Sequence, residues 1–143
     1  MTLLVLIRHA PTSWNSEGRL QGRRDTSLSA DGEAMLQTWA PPKAFSGFDW
    51  VASPLERTMK TARVLAGRKV AEDERLIEMD WGEWEGRTRA DLSETLGADF
   101  HENETRGLDF LPPGGESPRM VQDRLRPFLL DVAAKGRPVV AVT

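Results

Sequence analysis

Leu3-Leu4-Val5-Leu6-Ile7-Arg8-His9 joins five consecutive apolar residues to a basic pair near the start of the chain. Such apolar runs are typical of strands that are buried on both faces, as in a parallel sheet covered by helices. We therefore expect a buried strand at 3–7. Functional sites of α/β sheets form beyond the carboxyl ends of the strands, and Arg8 and His9 lie just past this end.

The rest of the chain alternates between strand-like and helix-like segments. Short apolar runs predict further strands at 48–52, 69–70 and 139–142. A helix is predicted over 88–96, and the residues that suit the N-cap of other helices are Ser29, Ser53 and Ser117. The expected fold class is α/β, a three-layer α/β/α sandwich with a largely parallel sheet.

The segment 53–57 follows directly after the second predicted strand. Ser53 suits an N-cap, Pro54 suits the first helical position, and Glu56 is placed to complete a capping box with Ser53. Arg57 would then lie in the first helical turn, where free N–H groups favour anions. An exposed helix arginine is the alternative. Two arginines at one sheet edge favour an anion pocket.

Composition restricts the kinds of site that the chain can hold. A length of 143 residues is that of one domain, and a net charge of −3 argues against bulk nucleic-acid binding. The chain has no cysteine for disulfides or thiolate metal sites, and its two histidines make a His-rich metal site a poor fit. No apolar run reaches the length of a membrane span, and we expect a cytoplasmic protein.

His9 and Arg8 together suit phosphoryl chemistry. A neutral imidazole can attack phosphorus, and its pKa lies near the working pH. An adjacent arginine can bind phosphate oxygens in a bidentate fork. The alternative is a histidine satisfied within the fold beside a surface arginine.

Two further segments carry polar candidates. Asn15, Gln21 and Gly22 lie in a long polar stretch, 11–25, where amides can donate to phosphate oxygens and glycine permits close backbone approach. Glu78 opens a Trp-rich segment with four carboxylates. A carboxyl that is desolvated beside tryptophan stays protonated, as a general acid requires. These residues alone do not select one of the four, and an acidic surface loop is the alternative.

Five segments, in order, resemble the signature blocks of the histidine phosphatase family, also called phosphoglycerate mutase-like. The first contains Arg8-His9-Ala10-Pro11-Thr12 and Asn15, where the family normally has Arg-His-Gly, an acid and Thr. The segments are 6–15, 18–32, 53–62, 76–86 and 113–117. They cover nearly the whole chain, and Ala10 and Pro11 are the departures in the first block.

The resemblance implies phosphate monoester hydrolysis through a phosphohistidine, with a small phosphorylated substrate and no metal or organic cofactor. His9 would be the phosphorylated nucleophile and Glu78 the proton donor. The residues that would bind the phosphoryl group or the substrate are Arg8, Arg57, Asn15, Gln21 and Gly22.

The family places a second catalytic histidine directly after a last strand like 139–142, and the sequence ends there at Thr143. We therefore expect 1–143 to be a single histidine phosphatase-like domain that lacks its C-terminal part. Two alternatives stay open. One is a cofactor-dependent phosphoglycerate mutase, although such mutases carry a longer insertion after the acid segment; the other is a non-catalytic phosphate-binding regulatory module.

Overall fold

One parallel sheet organises the chain. The structure, a computed structural model, describes residues 2–143. Within them four strands pair in the order β1-β4-β2-β3, and all pairings are parallel. The strands are β1 (Leu4–Ile7), β2 (Asp49–Ala52), β3 (Ala71–Glu72) and β4 (Val139–Val142). The predicted parallel α/β sheet is confirmed, with the third strand two residues later than expected.

The helices connect these strands on both sides. They are α1 (Ser13–Ser16), α2 (Ala30–Thr38), α3 (Glu56–Ala66), α4 (Arg89–Leu96), α5 (Ala98–Thr105) and α6 (Pro118–Lys135), with 3-10 turns at Lys43–Gly47, Glu74–Leu76, Gly82–Trp84 and Gly107–Asp109. The hydroxyls of Ser29 and Ser117 cap α2 and α6 as predicted, and the Thr88 hydroxyl caps α4. No helix within residues 2–143 has the length and apolar character needed to span a membrane.

The central strand β4 divides the core into two layers, and all its residues are buried. Val140 and Val142 pack with Met59 of α3 on one face. On the other face, Val139 and Ala141 pack with Phe128 and Val132 of α6. Because helices cover both faces, the three-layer sandwich is confirmed.

Strand β1 differs from its prediction because it lies at the edge of the sheet. Leu6 keeps 66% of its surface exposed. The expectation of burial on both faces is therefore wrong for β1 and holds for β4. An apolar run alone does not say whether a strand has neighbours on both sides.

The start of α3 also differs from its prediction. The helix begins at Glu56 without a side-chain cap of its own, because the backbone stays extended through Leu55. Ser53 instead prolongs the sheet, with its N–H bonded to the Val142 carbonyl at 2.9 Å. Its hydroxyl is buried without a hydrogen-bond partner among the described residues. The predicted Ser53 capping box is therefore wrong. The start of α3 is capped instead by the Asp25 carboxylate, which accepts from the Glu56 N–H at 2.6 Å.

A backbone clasp joins segment 80–83 to segment 113–116. The Glu83 N–H bonds to the Pro113 carbonyl at 2.9 Å, and the Glu116 N–H bonds to the Asp80 carbonyl at 2.8 Å. Gly82 has φ +52°, and a Cβ there would overlap the Pro113 carbonyl. Helices α4 and α5 lie in the chain between the two segments, around a separate core of Trp84, Leu92 and Phe100.

Candidate active site

His9 follows β1 directly, at the carboxyl edge of the sheet. Its backbone N–H bonds to the carbonyl of Thr143, the residue after β4, at 2.9 Å. The ring is buried, and Nδ1 lies 2.7 Å from the Ala10 carbonyl. A carbonyl can only accept, so Nδ1 carries the proton and donates it. Nε2 is therefore the nitrogen with a free lone pair, and the ring is oriented to attack through it.

The electrostatics of the site keep this imidazole neutral. Burial lowers the pKa of His9 below its ordinary value of 6.5, and the positive charges of Arg57 and Arg8 lower it further. The bond to the Ala10 carbonyl and the charge of Glu78 raise the pKa, but the first influences prevail. Because the pKa lies below 6.5, the neutral form of the ring predominates at neutral pH. The neutral form is also the nucleophilic one.

Arg57 is the most deeply buried charged side chain of the site, with 1% of its surface exposed. Its guanidinium donates to the Gly22 carbonyl and to the Arg24 carbonyl, each at 2.8 Å. Its Nε is buried with no hydrogen-bond partner among the described residues. A buried charged donor without an acceptor is unfavourable, and an anion at this edge would satisfy it.

The loop after β1 holds two amides through Thr12. The Thr12 N–H donates to Asn15 Oδ1 at 2.9 Å, and the Thr12 hydroxyl lies 2.7 Å from Gln21 Oε1. The Thr26 hydroxyl also donates to Gln21 Oε1, at 2.7 Å. Because both amide oxygens are engaged, the amide nitrogens are the ends that remain to donate to a phosphoryl oxygen.

Gly22 serves this loop through its backbone. It adopts φ +56°, and a Cβ there would overlap the carboxylate of Glu85. The group close to this backbone is the Glu85 carboxylate, and the approach of a phosphate oxygen stays a prediction. That carboxylate also accepts from the Arg23 N–H at 2.6 Å and lies 3.5 Å from Arg24.

Glu78 comes near the site from the segment after β3. Its charge acts on both His9 and Arg57, which places it on their side of the sheet edge. Its side chain is exposed, and its Oε1 accepts from the Met79 N–H at 2.8 Å. Of the four carboxylates in this segment, Glu78 is therefore not one that tryptophan desolvates; the buried Trp84 packs against Phe100 instead.

Salt bridges connect the loop after β1 to the clasp segments and to α6. Arg23 pairs with Glu116 at 2.9 Å and lies 3.6 Å from Asp80. Glu116 also pairs with Arg124 of α6 at 3.1 Å. Burial by itself raises the pKa of Glu116, but Arg124, the Asp80 N–H and Arg23 outweigh it and lower that pKa. The carboxylate therefore stays ionised and ties the loop to the clasp.

Comparison with known proteins agrees with this geometry. The sequence model of the histidine phosphatase superfamily (branch 1) matches residues 4–143. The chain belongs to this superfamily.

Relatives of this histidine phosphatase include phosphatases and a mutase. Phosphoserine phosphatase 1 of Hydrogenobacter thermophilus is 36% identical over all of the chain and 71% of its own length. The structure of a mycobacterial glucosyl-3-phosphoglycerate phosphatase is 32% identical, with a TM-score of 0.79 over 98% of the chain and 74% of its own. The phosphoglycerate mutase of Thermus thermophilus is 35% identical, with a TM-score of 0.77 over 96% and 75% of the two chains.

The sheet edge of this histidine phosphatase brings together most of the predicted residues. The Arg57 guanidinium binds the loop that holds Gln21 and Gly22, and its charge reaches His9. Sequence reasoning missed the roles of Thr12 and Asp25. Thr12 carries a local signal, since Thr-x-x-Asn at 12–15 forms the capping box of α1. Asp25 carries no such signal, because the helix that it caps lies far along the chain.

Proposed function

We propose that this histidine phosphatase hydrolyses a small phosphate monoester through a phosphohistidine formed on His9. The observation that carries the proposal is the state of the imidazole. Its Nδ1 is committed to the Ala10 carbonyl, and its lowered pKa leaves Nε2 unprotonated. Such a nitrogen, beside two arginines at the carboxyl edge of a parallel sheet, suits attack on a phosphoryl group.

In the first step, Nε2 of His9 forms a bond to phosphorus while the bond from phosphorus to the ester oxygen breaks. Arg8 and Arg57 hold the equatorial oxygens, together with the amide nitrogens of Asn15 and Gln21. Each charge-assisted hydrogen bond contributes about 1.5–3 kcal/mol. We assign to Glu78 the transfer of a proton to the departing oxygen, so the first product leaves as an alcohol.

In the second step, water attacks the phosphohistidine. Glu78, now a carboxylate, takes a proton from the water as its oxygen bonds to phosphorus. The bond from Nε2 to phosphorus breaks, which releases inorganic phosphate and returns His9 and Glu78 to the forms in which they began the cycle. The arginines supply the positive charge that phosphoryl transfer needs, so the scheme involves no metal.

The decisive experiment traps the intermediate. Wild type is mixed with a labelled phosphate monoester and quenched in alkali, which preserves phosphohistidine. We expect label on the peptide that contains His9, none in His9→Ala, and an unchanged yield in His101→Ala, which removes the other histidine. Turnover in His9→Ala at the wild-type rate would contradict the mechanism. Absence of any aryl phosphate turnover in wild type would favour the non-catalytic phosphate-binding module.

A mutase is the second candidate, and the likeness to the Thermus thermophilus phosphoglycerate mutase favours it. A mutase would need a bisphosphoglycerate primer to phosphorylate His9 and would return the group to a second oxygen of its substrate. A phosphatase would release inorganic phosphate without the primer. Measuring both products with and without primer separates the two reactions.

A further inference from the structure

A buried hydroxyl links the helix that carries Arg57 to the backbone that carries His9. Thr61 lies one turn after Arg57 on α3 and has no exposed surface. Its Oγ1 accepts from the Ala10 N–H at 3.0 Å and donates to the Arg57 carbonyl at 2.7 Å. The Ala10 carbonyl in turn accepts the proton of His9 Nδ1 at 2.7 Å.

We propose that Thr61 is a positioning residue that sets the tautomer and the ring orientation of His9 and fixes His9 relative to Arg57. The kinetic part of this inference rests on the proposed function, because it assumes that His9 Nε2 attacks the substrate. The structural part does not.

The first link runs through the peptide that joins His9 to Ala10. Its N–H is the group that Thr61 holds, and a planar peptide moves as one unit. Ala10 has no exposed surface, so this N–H has no water to turn to if the hydroxyl is removed. Without the Thr61 hydroxyl, the Ala10 N–H would lack an acceptor, and the backbone that carries the imidazole would shift.

The second link runs through Pro11. A residue before proline is restricted to extended backbone conformations, so the Ala10 carbonyl follows the anchored Ala10 N–H. The Pro11 carbonyl is itself held by the Ser29 N–H at 3.0 Å. The Ala10 carbonyl, which accepts from Nδ1, is thus held through Thr61 on one side and through Pro11 on the other. Because this carbonyl keeps the proton on Nδ1, the lone pair stays on Nε2.

A bond from a threonine hydroxyl to the carbonyl four residues earlier is also a common local feature of helices. A purely structural role would therefore predict that loss of the hydroxyl affects stability alone. Thr58 supplies a matched control on the same helix. It is equally buried, and its hydroxyl donates to the carbonyls of Ser53 and Leu55, away from Ala10.

The test reads the imidazole nitrogens directly, by NMR of protein labelled with ¹⁵N in histidine. The variants are Thr61→Val, which keeps the shape and loses the hydroxyl, Thr61→Ser, which keeps the hydroxyl, and Thr58→Val. His101→Ala assigns the signals, since His9 is then the one remaining histidine. Aryl phosphate turnover is measured on the same samples.

We expect wild type, Thr61→Ser and Thr58→Val to show His9 with its proton on Nδ1. Thr61→Val should show a mixture of tautomers and a turnover lower by roughly ten- to a hundredfold, as misplacement of a reacting group commonly causes. An Nδ1 tautomer that persists in Thr61→Val, or an Nε2–H tautomer in wild type, would overturn the proposal. The wild-type and Thr61→Ser spectra keep the inference testable should Thr61→Val fail to fold.

The two ideas fail in different ways. If Thr61→Val alters the tautomer while His9→Ala retains full turnover, the positioning role stands and the proposed phosphohistidine mechanism fails. If His9→Ala is inactive while Thr61→Val keeps both the tautomer and the rate, the mechanism stands and the role of Thr61 fails.

Discussion

The Asp25 carboxylate accepts a 2.6 Å hydrogen bond from the backbone N–H of Glu56, so the loop after β1 caps the helix that follows β2. Arg57, which follows Glu56, donates two hydrogen bonds to carbonyls of the same loop. The loop and the helix start therefore form one unit, and the site depends on their staying together.

Removal of this cap should destabilise the protein. We expect Asp25→Ala to lower the free energy of unfolding by about 1 kcal/mol, the usual cost of losing an N-cap. Asp25→Asn should lose less, because an amide oxygen can still accept. Urea unfolding measures both, with Ser29→Ala at the α2 cap as the reference for a single lost cap. A midpoint for Asp25→Ala equal to that of wild type would show that the contact is not stabilising.

Arg57 should dominate the binding of inorganic phosphate. Each charge-assisted bond contributes about 1.5–3 kcal/mol, so Arg57→Ala should weaken binding by roughly one to two decades in calorimetry. Arg57→Lys should bind more weakly than wild type because an ammonium cannot replace the fork. Arg63→Ala, on the exposed side of the same helix, is the control for loss of charge. Equal losses for Arg57→Ala and Arg63→Ala would mean that only overall charge matters.

The pH dependence of phosphorylation should follow the neutral form of His9. Burial above all, and then Arg57 and Arg8, lowers the pKa of His9 below 6.5. With an activated aryl phosphate, which leaves without a proton from Glu78, we expect the rate of the first step to change little down to pH 6.5 and to fall only below it. Rapid-quench measurements across this range check the acid limb, and a limb that begins above 6.5 would contradict the assignment.

The same shift makes a prediction for stability. Between the lowered pKa and 6.5, the unfolded chain binds the His9 proton and the folded chain does not. The contribution of His9 is therefore fully present above 6.5 and is lost as the pH falls below that value towards the folded pKa. Unfolding of wild type and His9→Gln at about pH 7.5 and about pH 5.5 measures the difference, and wild type should lose more.

Local signals predicted the elements that depend on near neighbours in the chain. Caps at Ser29 and Ser117 and the apolar strand β4 are of this kind. The exposure of Leu6 was not predictable, because it depends on the order of strands in the sheet. The Ser53 capping box satisfied its local pattern, yet the sheet used the Ser53 backbone and a carboxylate 31 residues from Glu56 capped α3.

The site followed the same division. The carboxyl ends of parallel strands bring His9 and Arg57 to one edge, and this could be predicted from two strand assignments. The tautomer of His9 and the exposure of Glu78 depend on packing between distant segments. The contact of His9 Nδ1 with the Ala10 carbonyl determines the tautomer, and the bond from the Met79 N–H orients the Glu78 carboxylate.

Glu78 should matter most for substrates whose leaving oxygen needs a proton. Glu78→Gln is expected to slow alkyl phosphates far more than activated aryl phosphates, by roughly 10²–10⁴-fold against a small change. Glu83→Gln tests a nearby exposed carboxyl and should leave both rates near wild type. An equal loss on both substrates in Glu78→Gln would assign this residue to binding.

The clasp should tolerate no side chain at Gly82. A residue with a Cβ would be strained at φ +52° and would overlap the Pro113 carbonyl. We expect Gly82→Ala to cost about 1–3 kcal/mol from the backbone alone, with the overlap adding to it. Gly47→Ala is the control, since a Cβ there meets nothing within 4 Å. Equal unfolding temperatures for Gly82→Ala and Gly47→Ala would contradict the role of the clasp.

The clasp has a consequence for which part of the chain can be exchanged. It pins both ends of the α4–α5 excursion at one point, and the excursion has a core of its own. The first residues after the clasp, 85–87, hydrogen-bond to the loop at Leu20 and Arg23 and belong to the framework of the site. Grafting the corresponding segment of a relative between positions 89 and 105 should therefore leave His9, Arg57 and these loop contacts in place.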